Sequence, residues 1–116
     1  MDELKHTKGP WSYTILGPHR NNKDVLAIEI NYGKDGECIA DTVYEEADAR
    51  LIAAAPDMLE SMIKAYRELI GVSRLQDWHS DSFRAVIEEM ERTIEAATNM
   101  KIEEVLEATA RQEAER

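Results

Sequence analysis

The sequence has little cysteine and no long apolar run, the two features that are typical of secreted and membrane proteins. Its 116 residues include a single cysteine, Cys38, so an intramolecular disulfide is excluded. No apolar run approaches the roughly 20 residues that a membrane-spanning helix requires, and no apolar run of signal-peptide length follows Met1–Lys5. We therefore expect a cytoplasmic protein without a membrane span.

Basic residues are also scarce. The chain has 14 Lys and Arg against 24 Asp and Glu, which gives a net charge of -10. This charge repels nucleic-acid phosphate, so direct binding of DNA or RNA is not expected. A chain of this length fits one domain with a modest core, and association with further copies would enlarge the buried surface.

Glycine and proline are nearly absent from the second part of the chain, and this divides the sequence in two. After Val43 only Gly71 and Pro56 remain. Before it, turn-forming residues separate three short β-prone segments at about 11–15, 24–31 and 36–41. These segments predict a three-stranded antiparallel meander. Its second hairpin is expected to turn at 32–36, where two glycines can supply positive φ angles.

The remainder of the sequence predicts helices. Apolar residues recur at three- and four-residue spacing over about 45–54, 56–70 and 81–98. Pro56 lacks an amide hydrogen, so the first helix is expected to kink or restart there, and Gly71 is expected to end the second segment. The fold class is therefore α+β, with the meander packed against a helical hairpin that has a kinked first helix and a long last helix.

The apolar periodicity continues weakly beyond Asn99 and leaves two alternatives. Either one helix of about 30 residues, roughly 45 Å long, runs through Asn99, or one helix ends there and another begins. A continuous helix would need another chain to cover the apolar face of its C-terminal half. We assign residues 1–98 to a single domain and 99–116 to a C-terminal helical extension, and we expect a homo-oligomer formed through helices.

No catalytic or metal-ligating set is found in the sequence. The three histidines are His6, His19 and His79. None of them lies at metal-ligand spacing from another histidine or from cysteine. Cys38 has no base beside it and is interpreted as a small core residue. Glu88, Glu89 and Glu91 fit a solvated helix face better than a cation site. We predict no catalytic residue, no metal and no cofactor.

Several residues are nevertheless candidates for binding a ligand or a partner. They are His6, Thr7, Trp11, Arg50, Trp78 and His79. The first three can edge a pocket in which Trp11 stacks on a base, or Trp11 can instead anchor the core. Arg50 stands in the apolar segment 47–55, where it can recognise phosphate or carboxylate. It can instead pair with a neighbour of Asp48 or with a strand-end carboxylate such as Asp41. The last two lie in the linker between helices, where an aromatic residue can cap the core or form a contact hot spot.

Two segments resemble a large family of small proteins encoded by tailed phages and prophages. The segments are His6-Thr7-Lys8-Gly9-Pro10-Trp11 and Ala47–Glu60. The usual signature of that family is a His-Thr-Pro-Gly-Pro-Trp start and an ANARLIAAAPDLLEAL helix. The resemblance covers about Lys5 to Met100, and this chain departs from the signature at Lys8, Asp48 and Met58.

The resemblance implies a phage or prophage accessory protein that is expressed in the bacterial cytoplasm and is dispensable for building the virion. It assigns no catalytic residue. We expect a non-enzymatic binding protein that counteracts a bacterial defence system. It would either bind a host protein through an acidic surface that mimics nucleic acid, or sequester a small signalling nucleotide. The alternative is a structural or regulatory helical homo-oligomer without a defence role.

Overall fold

The computed structural model describes residues 3–33, 35–76 and 80–114, with side chains described for all of these except 73–76. Its elements are β1 (Trp11–Pro18), β2 (Leu26–Tyr32), β3 (Glu37–Val43), α1 (Glu46–Gln76), α2 (Asp81–Thr98) and α3 (Ile102–Ala114). The α+β class is confirmed. None of the described helices combines the length and the apolar character needed to cross a bilayer.

Contacts divide the chain into two compact units. The sheet unit comprises Thr7–Met58, and the helical unit comprises Met1–His6 and Leu59–Arg116. Helix α1 contributes its first part to the sheet unit and the rest to the helical unit. The division therefore falls within α1 and does not coincide with the boundary expected at residue 98.

The three strands form the predicted antiparallel meander, in the order β1-β2-β3. Each strand overlaps its predicted segment, and the β1–β2 register begins with Trp11 opposite Tyr32. Gly33 and Gly36 have φ angles of 74° and 66° at the second hairpin. These are left-handed values that glycine adopts without a steric cost, and this explains the turn at that position.

One face of the sheet is covered by the first part of α1. Ile28 and Ile30 of β2 are 1% and 0% exposed, and they form the buried cluster of the sheet unit with Ala49 of α1. Half-buried apolar side chains complete this core: Trp11, Tyr13, Leu26, Ile39, Ala40, Val43 and Ile52. The small side chain at position 49 permits close approach of the helix to the sheet.

Helix α1 corrects two predictions. It continues through Pro56, so the predicted restart at that residue is wrong, whereas a kink stays a prediction. Pro56 is buried, and a Cβ placed on Gly9 would lie 3.1 Å from the Pro56 Cβ. This close packing compensates for the one helical hydrogen bond that proline cannot donate. Gly71 was expected to end the helix, but α1 continues to Gln76. Half-buried Ile70 and Val72 on either side of Gly71 offset the roughly 1 kcal/mol that glycine costs in a helix.

The alternatives at Asn99 are resolved in favour of two helices. Asn99 adopts a left-handed conformation with φ 55° and ends α2, and its backbone N–H donates to the Glu95 carbonyl at 2.8 Å. The Glu95 carboxylate accepts a hydrogen bond from the backbone N–H of Ile102 at 2.9 Å, at the start of α3. At the other end of α2, Ser80 Oγ accepts from the Phe83 N–H, as a helix N-cap does.

The helical unit buries the apolar face of α3 within the chain. Its core consists of Ile63, Tyr66, Ile94, Met100, Ile102, Val105 and Ala108. Because α2 and α3 are separate helices, the continuous helix whose C-terminal half would need another chain is not formed. Met100, Ile102, Val105 and Ala108, which all follow residue 98, belong to this core.

Candidate functional site

The Gly9-Pro10-Trp11 corner packs on the helix segment that carries Pro56. The indole Nε1 of Trp11 donates a hydrogen bond to the carbonyl oxygen of Thr7 at 3.0 Å, which closes the corner around a cis Gly9–Pro10 bond. Trp11 is half-buried and packs against the core of the sheet unit. The two segments that carry the family resemblance therefore meet in space, since Gly9 and Pro56 are in contact.

One side of Trp11 borders a surface depression of the sheet unit. The lining consists of Trp11, Ser12, Tyr13, Arg50, Ala53, Ala54 and Asp57. Its volume of about 340 Å³ lies near the lower end of the roughly 300–1,000 Å³ that ligand pockets span, and it is widely open to solvent. The depression brings together an aromatic ring and a guanidinium that are far apart in sequence. A planar ligand could stack on the indole while its anionic group pairs with Arg50.

Arg50 is held at the rim of this depression by a neighbour on its own helix. Its Nη2 lies 3.2 Å from Glu46 Oε2, and both side chains are well exposed, at 67% and 43%. The same carboxylate accepts a hydrogen bond from the Tyr13 hydroxyl at 2.9 Å. Arg50 thus pairs with Glu46 and not with Asp41, the strand-end carboxylate considered from sequence. An exposed pair of this kind keeps the guanidinium accessible to a ligand.

The remaining sequence candidates lie elsewhere or contribute little. Thr7 supplies only its carbonyl oxygen, to Trp11, and its side chain does not line the depression. His6 is half-buried and belongs to the helical unit by its contacts. Trp78 and His79 lie outside the described residues.

Sequence reasoning missed a second feature, which lies in the helical unit. Tyr66 of α1 is 3% exposed, and its hydroxyl donates a hydrogen bond to Glu91 Oε1. Burial raises the pKa of Tyr66, as do this hydrogen bond and the charges of Glu91, Glu103 and Glu95. One carboxylate therefore contacts this buried hydroxyl, and the charges of two more, from two helices in all, act on it. The four-residue spacing of Glu91 and Glu95 was visible in the sequence, but the proximity of α1 and α3 was not.

The surroundings of Cys38 do not activate its thiol. Cys38 is exposed, so the core position predicted from sequence is wrong. Its pKa is raised by desolvation and by the nearby charges of Glu29 and Asp41, which outweigh a backbone hydrogen bond at Ala40. A raised pKa lowers the thiolate fraction at neutral pH and so lowers nucleophilicity. Within the described part of the chain, no three His, Cys, Asp or Glu side chains are grouped so that they could hold a metal ion.

The chain was also compared with known proteins. The sequence model of the family described as Salmonella phage P22 protein Y8K6 matches residues 1–111. The match includes most of α3, whereas the resemblance noted in the sequence ended at Met100. Neither the curated proteins nor the solved structures gave a match.

Proposed function

Because the chain belongs to the Salmonella phage P22 protein Y8K6 family, we propose that it is a phage accessory protein that binds and inhibits a host defence protein. The target has a basic groove for nucleic acid, and the helical unit occupies that groove in place of phosphate. The proposal assigns no chemical reaction to the chain.

The distribution of charge on α2 and α3 supports this proposal. Carboxylates outnumber basic side chains over residues 81–114. Six of these carboxylates are on exposed residues: Asp81, Glu88, Glu89, Glu103, Glu107 and Glu113. A surface of this kind attracts a basic groove over distances of about a Debye length, roughly 8–10 Å at physiological salt.

The concentration of like charge on α2 and α3 is the observation that carries the proposal. Exposed Glu88, Glu89, Glu103 and Glu107 lie on these two helices, and the same helices carry the charges that raise the pKa of Tyr66. Concentrated charges of one sign raise the rate of association with a partner of the opposite sign and disfavour partners of like charge. The same property repels nucleic acid itself.

The test is phage plating on bacteria that carry different defence systems and express the full chain. We expect the wild-type chain to raise plating efficiency on at least one defended host. A variant that neutralises the exposed face of α2 and α3 should lose this effect. Its substitutions are Glu88→Gln, Glu89→Gln, Glu103→Gln and Glu107→Gln.

A matched control removes the same number of charges from exposed residues of the sheet unit. Its substitutions are Asp35→Asn, Glu37→Gln, Asp41→Asn and Glu45→Gln. This control should keep the activity of the wild type. Equal loss in both variants would assign the effect to net charge alone and contradict an interface on the helical unit. Unchanged plating on every defended host, together with a stable oligomer, would favour the structural or regulatory homo-oligomer.

Sequestration of a small signalling nucleotide is the second candidate, and the depression of the sheet unit supports it. Trp11 and Arg50 both line that depression, with an indole face for a base and a guanidinium for a phosphate. Calorimetry with a panel of cyclic nucleotides tests this candidate directly. Heat that is lost in Arg50→Ala would support it, and the absence of heat with every nucleotide would exclude it.

A further inference from the structure

The first part of α1 exposes a stripe of apolar side chains to solvent. Leu51 and Met58 are 61% and 51% exposed. Ala47 and Ala54 continue the stripe at spacings of four, three and four residues; Ala47 is exposed and Ala54 is half-buried. We call these four residues the outer stripe. This spacing is that of a coiled-coil seam, and the stripe lies on the side of the helix away from buried Ala49.

Large and small side chains alternate along the outer stripe, and this alternation suits an antiparallel pair of helices. In such a pair Leu51 lies opposite Ala54 of the partner subunit, and Met58 lies opposite Ala47 of the partner subunit. Each large side chain then fills the space beside a small one, as close packing requires. A parallel pair would instead place alanine opposite alanine and leave those layers thin.

The charges beside the stripe favour the same orientation. Arg50 and Asp57 lie one residue before Leu51 and Met58, on the same flank of the helix. In an antiparallel pair related by a two-fold axis, this flank meets its own copy. Arg50 then faces the partner subunit's Asp57, and symmetry forms the pair twice. A parallel pair would place Arg50 beside Ala55 of the partner subunit and would form neither ion pair.

Both charged side chains are available for this contact. No hydrogen bond or ion pair joins the side chain of Asp57 to another described residue. Arg50 has its exposed pair with Glu46, which uses one of its nitrogen atoms. An intermolecular ion pair can therefore form without breaking a buried contact.

We infer that the outer stripe is an interface between two copies of this chain, packed antiparallel about a two-fold axis. Arg50, Ala54 and Asp57 also line the depression beside Trp11. The first part of α1 from the second copy therefore borders that depression and narrows its open side. The inference concerns association of the chain with itself, and its test by mass and cross-linking is independent of plating on defended hosts.

Cysteine cross-linking tests both the interface and its direction. In a Cys38→Ser background, one full-length chain carries Ala47→Cys and another carries Met58→Cys. The antiparallel pair places 47 opposite 58, whereas two copies of either position are eleven residues apart along the axis, roughly 16 Å. A disulfide spans only about 4.4–6.8 Å between Cα atoms. We expect dimers in the oxidised mixture and none from either chain alone.

The opposite result is equally clear. Cross-linking of each chain with itself, with no disulfide between positions 47 and 58 in the mixture, would indicate a parallel pair and overturn the antiparallel arrangement. No cross-link in any sample would overturn the interface.

Sedimentation of the full chain tests the energetic contribution. We expect a dimer whose dissociation constant rises at least tenfold in Leu51→Glu and in Met58→Glu. Val86→Glu is the matched control, because Val86 on α2 is 50% exposed and lies outside the stripe. A wild-type chain that sediments as a monomer at high micromolar concentration would refute the inference.

Exchanging the charges of Arg50 and Asp57 tests the ion pairs. This test does not depend on whether Leu51→Glu and Met58→Glu fold correctly. Arg50→Asp and Asp57→Arg should each weaken the dimer severalfold. The double variant restores both pairs with reversed polarity, so it should recover most of the wild-type affinity. Additive losses in the double variant would contradict the pairing of these two residues.

Discussion

The sheet unit and the helical unit differ in what they bury and in what they expose. Among the described residues, the buried cluster of the helical unit has seven members, and that of the sheet unit has three. Of the large apolar side chains that are exposed in the described structure, only Val86 lies in the helical unit. The others, all in the sheet unit, are Ile15, Leu16, Tyr44, Leu51 and Met58. The helical unit buries most of its large apolar side chains and exposes charged ones. The sheet unit leaves several large apolar side chains exposed, and these are available for association.

The largest effect should come from the core of the helical unit. Ile94 is 0% exposed, so Ile94→Ala removes buried methyl and methylene groups and leaves a cavity, at a cost of about 3–5 kcal/mol in the free energy of unfolding. Ile30→Ala should cost less, about 2–3 kcal/mol, because the half-buried neighbours of the smaller sheet core can move into the space. Urea unfolding followed by circular dichroism measures both losses.

Val86→Ala serves as the exposed control for these substitutions. It should change the free energy of unfolding by less than about 0.5 kcal/mol. A loss in Ile30→Ala that exceeds that of Ile94→Ala would reverse the order of the two cores and contradict the comparison between the units.

The next effect concerns the buried hydroxyl of the helical unit. Tyr66→Phe removes the hydrogen bond to Glu91 and leaves that carboxylate without this donor. The expected loss at neutral pH is about 1.5–3 kcal/mol, as for hydrogen bonds to charged groups. Tyr32→Phe is the control, because Tyr32 also donates to a carboxylate, that of Glu37, but at the protein surface. We expect a smaller loss there.

The pH dependence of this loss has a defined sign. The pKa of Tyr66 is raised above 10.0 in the folded chain, so the folded state keeps the phenol proton under conditions in which the unfolded state releases it. The stabilisation is complete below pH 10 and decreases as the pH rises above that value. The difference in stability between wild type and Tyr66→Phe should therefore shrink in alkaline solution. A difference that grows with pH would contradict the assignment.

The sequence predicted the elements well because their signals are local. The β-prone segments and the glycine pair at 33 and 36 predicted the meander, and the apolar period predicted α2. The errors occur where tertiary packing overrides a local preference. Pro56 stays inside α1 because its ring packs on Gly9, and α1 passes Gly71 because Ile70 packs in the helical core.

The candidate site was only partly accessible from sequence for a related reason. Trp11 and Arg50 were recognised as unusual residues in their segments, but their common depression depends on how β1 lies against α1. The carboxylates around Tyr66 come from two helices, and the spacing within one helix reveals at most two of them. Which surfaces meet depends on tertiary packing, and the local pattern of a single sequence does not predict those contacts.

A smaller effect is expected at the junction that folds α3 back into the helical unit. Asn99 adopts φ 55°, a left-handed conformation that costs most side chains about 1–2 kcal/mol and asparagine less. Asn99→Ala should therefore lower the free energy of unfolding by about 1 kcal/mol. Asn99→Gly is the matched variant and should be neutral or slightly stabilising, because glycine adopts this conformation freely. Equal losses in both variants would show that the side chain matters and the backbone angle does not.

The smallest effect on the free energy of unfolding should come from replacing Arg50. This small effect distinguishes Arg50 from the core residues, whose replacement costs several kcal/mol. Its ion pair with Glu46 is exposed and joins residues four apart on one helix, so Arg50→Ala should cost no more than about 0.5 kcal/mol. Thermal unfolding at low and high salt measures this cost, which should shrink as salt screens the pair. A loss above 1 kcal/mol would instead make Arg50 part of the architecture of the sheet unit. If Arg50→Ala leaves stability unchanged but lowers dimer affinity or nucleotide binding, the guanidinium acts in binding at the surface. The sheet unit then binds through a residue that its fold does not need.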